Sequence, residues 1–302
     1  MPKVQKTTHN VRRDWIIGIA IVVVMLVGIF WLATRPSRGR KGETISFTSD
    51  KGKVGIVELT GLISDSRRTV KQFEEFAEDK SVKAIVFRID SQGGLVGASQ
   101  EIYQAVCRAR EKKPIVVSMG NVAASGGYYV ACGGDTIVAN PGTTTGSIGV
   151  MAEFVNVEGL LKKLGIRLES IKSGKFKDAG APYRNMTDAD RAYLQSWIDD
   201  AYSQFVEVVV KERKLPREKV LEIADGRVFT GKQAKSLGLV DVLGDYQDAI
   251  RIAAQMAHIK GEPELVRWRE RRLSWWDILF QETEGMLHRL GGMHLLYWAG
   301  GW

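Results

Sequence analysis

Histidine and cysteine are scarce in this 302-residue sequence, which contains four histidines and two cysteines. Cys107 and Cys132 do not form a CxxC pair, and no Cys/His cluster has the spacing of a zinc site. We therefore expect two small buried apolar side chains, no metal site and no cofactor. The histidines lie before the N-terminal apolar segment, at the end of the last predicted helix, or in the C-terminal tail: His9, His258, His288 and His294. This placement supports a Ser-His-Asp triad poorly.

Excess charge is also missing from most of the chain. The formal net charge is +8, and residues 1–41 hold eight lysines and arginines against Asp14 alone, a net of +7 that leaves about +1 for the rest. A nucleic-acid-binding protein is expected to carry its positive charge on the folded domain. We therefore expect a membrane surface, and no nucleic acid, as a partner.

A strongly apolar segment of nineteen uncharged residues spans residues 15–33, with Trp15 and Trp31 near its ends. This length is close to the roughly 20 residues needed to cross a bilayer, and tryptophan favours the headgroup level. A cleaved signal peptide is the alternative, but the segment is long and is followed by a poor cleavage site. The sequence predicts a basic N-terminal segment (1–14), a transmembrane helix (15–33) and a linker (34–52). Four basic residues lie on each side, so charge alone does not orient the helix.

Residues 53–258 have the pattern of an α/β domain. Apolar runs predict strands at 54–59, 84–89, 114–119 and 136–140, and a strand-like segment at 166–173. Helices are predicted around Val70–Phe76 and at 97–112, from Thr187 to Lys211, at 216–225, after Gly231 and at 245–258. Strands alternating with helices predict a mostly parallel sheet. Residues 259–302 form a tail with arginines followed by aromatics, for which membrane contact, groove binding and ordinary domain closure are alternatives.

Ser125 is the candidate nucleophile, in the stretch Asn-Val-Ala-Ala-Ser-Gly-Gly-Tyr-Tyr at 121–129. This stretch directly follows the predicted strand at 114–119 and begins a predicted helix. The Ser125 hydroxyl is therefore expected at the carboxyl edge of the sheet, where parallel α/β sheets bind ligands. Small neighbours allow a substrate backbone to approach closely. A helix N-terminus also favours developing negative charge.

A second glycine-rich turn, Asp90-Ser-Gln-Gly-Gly94, follows the strand at 84–89. Paired glycines after a strand can present backbone N–H groups to an oxyanion, although a plain tight turn has the same pattern. If the strand ends at 89 and 119 are neighbours, this turn lies beside Ser125.

Lysine is the alternative base for a serine nucleophile, provided that burial lowers its pKa. The segment 171–178 offers Lys172, Lys175 and Lys177. Three lysines in six residues also fit a solvated loop, and the local sequence does not choose among them.

Several motifs in order resemble the bacterial signal peptide peptidase A family in its short, single-unit form. These are DSQGG, SMGNVAASGGYY, TGSIGV at 145–150, SGKFKDAG, and GRVFTGKQAKSLGLVD at 226–241. The resemblance covers about residues 53–258 and implies that Ser125 is the nucleophile and Lys177 the general base. It also implies that Ser147 orients the lysine and that the amides of Gly94 (or Gly93) and Ser125 form the oxyanion hole. The family usually has proline where this chain has Gln92.

The resemblance further implies the ClpP/crotonase-like fold, an α/β spiral domain that oligomerises. In short members of the family a homo-oligomeric ring shares the Ser-Lys dyad between protomers. The expected function is a membrane-bound serine endopeptidase that degrades cleaved signal peptides or other short hydrophobic peptides. Its domain would lie on the extracytoplasmic side of the cytoplasmic membrane. A crotonase-type acyl-CoA enzyme and a catalytically silent membrane scaffold are the alternatives.

Overall fold

A computed structural model describes residues 52–268 and the backbone of a strand at 296–298. The predicted transmembrane helix, the linker up to residue 51 and most of the tail lie outside the described residues. Within the described part, none of the helices has the length and apolarity needed to span a bilayer.

Nine strands form one sheet within the described residues. They are β1 (Lys53–Ile63), β2 (Val82–Leu95), β3 (Ile115–Ala124), β4 (Thr136–Ala139), β5 (Thr144–Gly146), β6 (Val228–Thr230), β7 (Val242–Leu243), β8 (Glu264–Arg267) and β9 (Leu296–Trp298). The main order is β6-β5-β3-β2-β1-β8, with β4 between β3 and β7, and β9 beside β2. All pairs are parallel except β2–β9 and β5–β6. The first half of β3 pairs with β4 and the second half with β5, so β3 changes partner before the chain reaches Ser125.

Eight helices are described. They are α1 (Arg67–Glu78), α2 (Val96–Arg110), α3 (Gly126–Ala131), α4 (Glu158–Lys163), α5 (Asp188–Arg213), α6 (Arg217–Ile223), α7 (Gly231–Ser236) and α8 (Tyr246–Met256). The predicted capping box at the start of α5 is confirmed. The Thr187 side chain accepts a hydrogen bond from the Asp190 amide, and the Asp190 side chain accepts one from the Thr187 amide.

The sheet is buried on both faces, as expected for a parallel sheet covered by helices. On one face a large apolar cluster joins the central strands to α1, α2, α3 and α5, and it includes Phe73, Phe87, Tyr128 and Phe205. On the other face α8 packs Ala249, Ile250 and Ala253 against β1–β4. β2 and β3 are thus buried between the two helical layers, and these layers position the ends of the two strands.

The mixed α/β fold is confirmed, as are the helices that the sequence predicted and the parallel pairing of the four predicted strands. Three strand ends were wrong: β1 continues to Ile63, β2 to Leu95 and β3 to Ala124. Beyond the Ile89–Met119 pair, β2 and β3 continue past a register shift. Residues 166–173 are not a strand. Alternating apolar residues such as Ile166 and Leu168 suggested one, but their side chains are exposed and the segment pairs with no strand of the described chain.

Candidate active site

Ser125 lies at the junction between β3 and α3, where the sequence predicted it. Its backbone has φ 53° and ψ −120°, a region that L-residues other than glycine rarely occupy. The side chain is fully buried, and its hydroxyl has no hydrogen-bond partner within the described part of the chain. A buried, unpartnered hydroxyl in a strained turn is typical of a functional position.

Ser147 lies beside Ser125 because the two residues follow paired strand ends. Ala124 of β3 pairs with Gly146 of β5, and the next residue on each strand is a serine with a left-handed φ, 53° and 50° respectively. The Ser125 amide donates to the Gly146 carbonyl at 2.8 Å. The Thr145 hydroxyl donates to the Ala123 carbonyl at 2.7 Å, which locks the register. The sheet therefore brings these two predicted site residues together.

The predicted glycine turn, which in the structure is the irregular last part of β2, also lies next to Ser125, as expected. Ser91 of β2 pairs with Ala123 of β3. A Cβ at Gly127, in the first turn of α3, would lie 2.6 Å from the Ser91 carbonyl oxygen. The start of the serine's helix is thus in direct backbone contact with the turn.

The three backbone amides predicted as oxyanion donors have different surroundings in this structure. The Ser125 amide is occupied by the Gly146 carbonyl, and the Gly93 amide donates to Ser91 Oγ at 3.1 Å. Gly94 lies between β1 and β9, and a Cβ there would meet the carbonyl oxygen of Ile63 at 2.2 Å. Only glycine fits at this position, and an oxyanion would compete with internal acceptors for the other two amides.

Asp90 is a residue of this region that sequence reasoning did not single out. Its carboxylate accepts the Val122 amide at 3.1 Å and the Asn121 side-chain amide at 2.9 Å. These bonds hold the irregular part of β3 three residues before Ser125. Its position at the start of the DSQGG motif was the available signal.

Lys177 lies on an exposed segment and not beside Ser125 Oγ. Its amide donates to the Gly174 carbonyl at 3.2 Å within a series of tight turns, and its side chain is exposed. Neighbouring Lys172 pairs with Asp178, and Lys175 lies over the Phe176 ring. The single chain thus brings together the two serines and the glycine turn, but not the predicted base.

An open pocket of about 440 Å³ adjoins Ser147. Helix α5 contributes Gln195, Ile198 and Asp199 to it, and Asp225 and Gly226 form another wall. Arg227 holds the pKa of Asp225 down at about 2 through a side-chain hydrogen bond. This pocket contains carboxylates, and no lysine of the described residues lines it.

The cysteines take no part in this site. Cys132 is buried in the core, where desolvation raises the pKa of its thiol to about 12, and burial also raises the pKa of the half-buried Cys107. Among the described residues, no group of three histidine, cysteine or acidic side chains is arranged to hold a metal ion.

Comparison with known proteins identifies the families that this chain resembles. A profile described as Peptidase family S49 matches residues 108–260, and one described as Clp protease matches residues 45–144. A Synechocystis protein named as a protease is 47% identical over 211 residues, covering 70% of this chain and 76% of that protein. An Enterococcus faecium protein named as signal peptide peptidase SppA is 35% identical, covering 69% of this chain and 64% of its own length. "Serine protease SPPA, chloroplastic" from Arabidopsis thaliana is 34% identical, covering 73% of this chain but 35% of its own length.

Proposed function

This chain belongs to peptidase family S49, and on that premise we propose that it is a membrane-anchored endopeptidase with a Ser125–Lys177 dyad. The family match itself gives a serine protease with a Clp-protease-like α/β domain. The observation that carries the dyad is the buried, unpartnered Ser125 hydroxyl at the strained end of β3. The base, the substrate, the anchor and the assembly are parts of the proposal.

The proposed chemistry is acyl transfer. Neutral Lys177 takes the proton from Ser125 Oγ as the oxygen attacks a peptide carbonyl, and the protonated amine then gives that proton to the departing peptide amine. Ser147 holds the lysine amine by a hydrogen bond. The Gly94 amide, with the Ser125 amide once it leaves Gly146, stabilises the tetrahedral oxyanion. Water then hydrolyses the acyl-enzyme by the same steps.

We propose that the dyad forms between protomers of a homo-oligomeric ring. Seven large apolar side chains are exposed within residues 155–176, which we call the apolar arm: Val155, Leu160, Leu164, Ile166, Leu168, Ile171 and Phe176. Such a concentration of exposed apolar surface is typical of a protein–protein interface. Lys177 directly follows the arm. An arm packed on a neighbouring chain would bring Lys177 to that chain's serines, whose adjoining pocket has no lysine of its own among the described residues.

The proposed substrates are extended peptides with small or apolar side chains, such as cleaved signal peptides. Support comes from β9, which pairs antiparallel with β2 at Gly93, Gly94 and Leu95 and whose backbone also approaches α3. A chain segment can therefore add as a strand at the glycine turn, beside the helix that Ser125 begins. We propose that substrates bind in the same way.

The pairing of β9 also favours groove binding among the alternatives for the tail. A tail strand at Gly93–Leu95 competes with substrate for the same backbone groups. A variant that lacks residues 269–302 is expected to show a lower KM for peptide substrates than the intact chain. Unchanged peptidase kinetics would count against this role and would leave membrane contact as the tail's function.

Turnover of a fluorogenic peptide by the detergent-purified full chain tests the dyad. Both Ser125→Ala and Lys177→Ala are expected to abolish turnover, whereas an acyl-CoA enzyme or a scaffold would not cleave the peptide at all. Mixing the two inactive variants is expected to restore activity, because a mixed ring contains intact pairs of Ser125 and Lys177. Full activity of Lys177→Ala would eliminate the proposed base.

We propose a single N-terminal anchor at residues 15–33 with the catalytic domain outside the cytoplasm. The support is the length and composition of that segment. Protease added to intact cells is expected to digest the domain. Protection of the domain until the cells are lysed would place it on the cytoplasmic side.

A further inference from the structure

Asp178 is covalently adjacent to Lys177, yet its environment is very different. The Asp178 side chain is 8% exposed, whereas Lys177 is exposed. A free carboxylate next to a lysine base would hold the amine protonated and so impair it. The question is what occupies this carboxylate.

Arg184 binds Asp178 by a two-pronged ion pair. Arg184 Nε donates to Oδ2 at 3.0 Å and Nη2 to Oδ1 at 2.8 Å, and Nη2 also donates to the Asp178 backbone carbonyl at 2.9 Å. Lys172 pairs with the same carboxylate. Planar bidentate pairs of this kind fix geometry as well as charge, so the Asp178 carboxylate and backbone are held in one orientation.

The same arginine connects this turn to helix α5. Arg184 Nη1 donates to Asp190 Oδ2 at 2.6 Å, and the Asp190 side chain is 3% exposed. Asp190 is the third residue of α5 and closes the capping box with Thr187. Further along, α5 supplies Gln195, Ile198 and Asp199 to the pocket at Ser147. One arginine thus joins the turn that carries Lys177 to the helix that lines the serine pocket.

The charges of this cluster balance. Two cations, Lys172 and Arg184, face two carboxylates, Asp178 and Asp190. Lys175 does not join this cluster: it lies over Phe176, which stacks on Tyr193 of α5. Arg184, followed by Lys172, holds the pKa of Asp178 well below its usual range. The carboxylate is therefore charged, but its charge is already neutralised.

We propose that Arg184 is a positioning residue for the reaction: it orients the Lys177 turn through Asp178 and keeps that carboxylate from pairing with the Lys177 amine. This inference rests on the proposed role of Lys177. The positioning of Lys177 is thereby assigned to a network of ion pairs that contacts neither Ser125 nor Ser147.

Four variants of the full chain separate orientation from charge: Arg184→Lys, Arg184→Ala, Asp178→Asn, and the double variant Arg184→Ala/Asp178→Asn. The readouts are kcat, KM and the midpoint of the acidic limb of the pH–rate profile. Arg184→Ala is expected to lower kcat by about tenfold to a hundredfold, since misplaced catalytic groups cost on this scale. It is also expected to move the acidic midpoint to higher pH, because the released carboxylate favours the protonated lysine.

The double variant is expected to restore the midpoint without restoring kcat, because it removes the carboxylate but not the disorder of the turn. Arg184→Lys keeps the charge and loses the planar fork, so it is expected to keep the midpoint and lower kcat. Arg251→Ala is the matched control, since Arg251 forms an exposed pair with Asp248 on α8 at 2.6 Å; its kinetics are expected to be those of the wild type.

Two results would overturn the inference. One is wild-type kinetics in Arg184→Ala while Lys177→Ala is inactive. The other is a lower kcat with an unmoved midpoint and a matching loss of thermal stability, which would make the network merely structural. Full activity of Lys177→Ala is a different result, because it removes the proposed base itself.

Discussion

Gly94→Ala is the substitution whose effect the structure specifies most closely. An alanine Cβ at this position would lie 2.2 Å from the Ile63 carbonyl oxygen, 2.6 Å from its nitrogen and 2.7 Å from its carbonyl carbon. All three atoms are backbone, so no side-chain rotation relieves the contact. β1 and β2 would have to separate by roughly 1 Å to reach ordinary van der Waals distance.

Two consequences of this separation have different magnitudes. Overpacking of this kind typically lowers the free energy of unfolding by about 1–3 kcal/mol. Displacing an oxyanion donor lowers kcat by about a hundredfold to a thousandfold. We therefore expect a protein that still folds but cleaves peptides at about a hundredth of the wild-type rate or less.

Gly97→Ala is the matched control, because the same methyl group added three residues later, in the first turn of α2, meets no atom within 4 Å. It is expected to keep wild-type kcat and to stabilise the chain slightly, by at most about 1 kcal/mol. Urea unfolding and turnover of a fluorogenic peptide measure both effects. The reasoning is refuted if Gly94→Ala has wild-type kcat and unfolds within about 0.5 kcal/mol of the wild type.

Three further predictions concern the assembly, the acid stability and the thiols. Leu164→Asp in the apolar arm is expected to reduce the oligomeric fraction in light scattering and the activity per chain by about tenfold. Leu221→Asp, at a position that is also exposed but lies on α6, is expected to leave both unchanged; equal effects of the two substitutions would refute the interface. The stability difference between wild type and Arg184→Ala is expected to be constant above about pH 4 and to shrink in more acid solution, because hydrogen bonds from Arg184 lower the folded-state pKa of its two carboxylate partners; a difference that instead grows below pH 4 contradicts this sign. At pH 8 the Cys132 thiol is expected to resist Ellman's reagent in the folded chain, since its pKa of about 12 keeps it protonated. After unfolding, both Cys132 and Cys107 are expected to react with the reagent; two fast-reacting thiols in the native chain would contradict the burial of Cys132.

The sequence predicted the sheet core because the central strands are continuous apolar runs bounded by turn residues. It predicted α5 well because Thr187 and Asp190 form a capping box with a local signature. It placed the ends of β1, β2 and β3 too early. The segments after Ile89 of β2 and Met119 of β3 are irregular and contain glycine and polar residues, although they remain paired. Pairing between strands distant in sequence leaves no local signature.

The candidate site was predicted unevenly for the same reason. Ser125 stands at a recognisable strand-to-helix junction, and the glycine turn has its own motif. That Ser147 neighbours Ser125 follows only from the register of β3 with β5, which no spacing in the sequence reveals. The link from Asp178 through Arg184 to Asp190 joins residues spaced six apart across an irregular segment that ends at the start of α5. Neither helical nor strand periodicity applies across that segment.

The left-handed backbone at both serines has a consequence for how this chain can change over evolution. Ser125 and Ser147 each hold a φ near +50°, a conformation that glycine adopts with less strain. Glycine at either position is one nucleotide change from some serine codons and would relax the fold while removing a hydroxyl. Selection for stability alone would therefore drive both positions toward glycine, and only a requirement for the hydroxyls would keep serine there. A descendant of this chain with glycine at both positions would be a stable domain that had lost its chemistry.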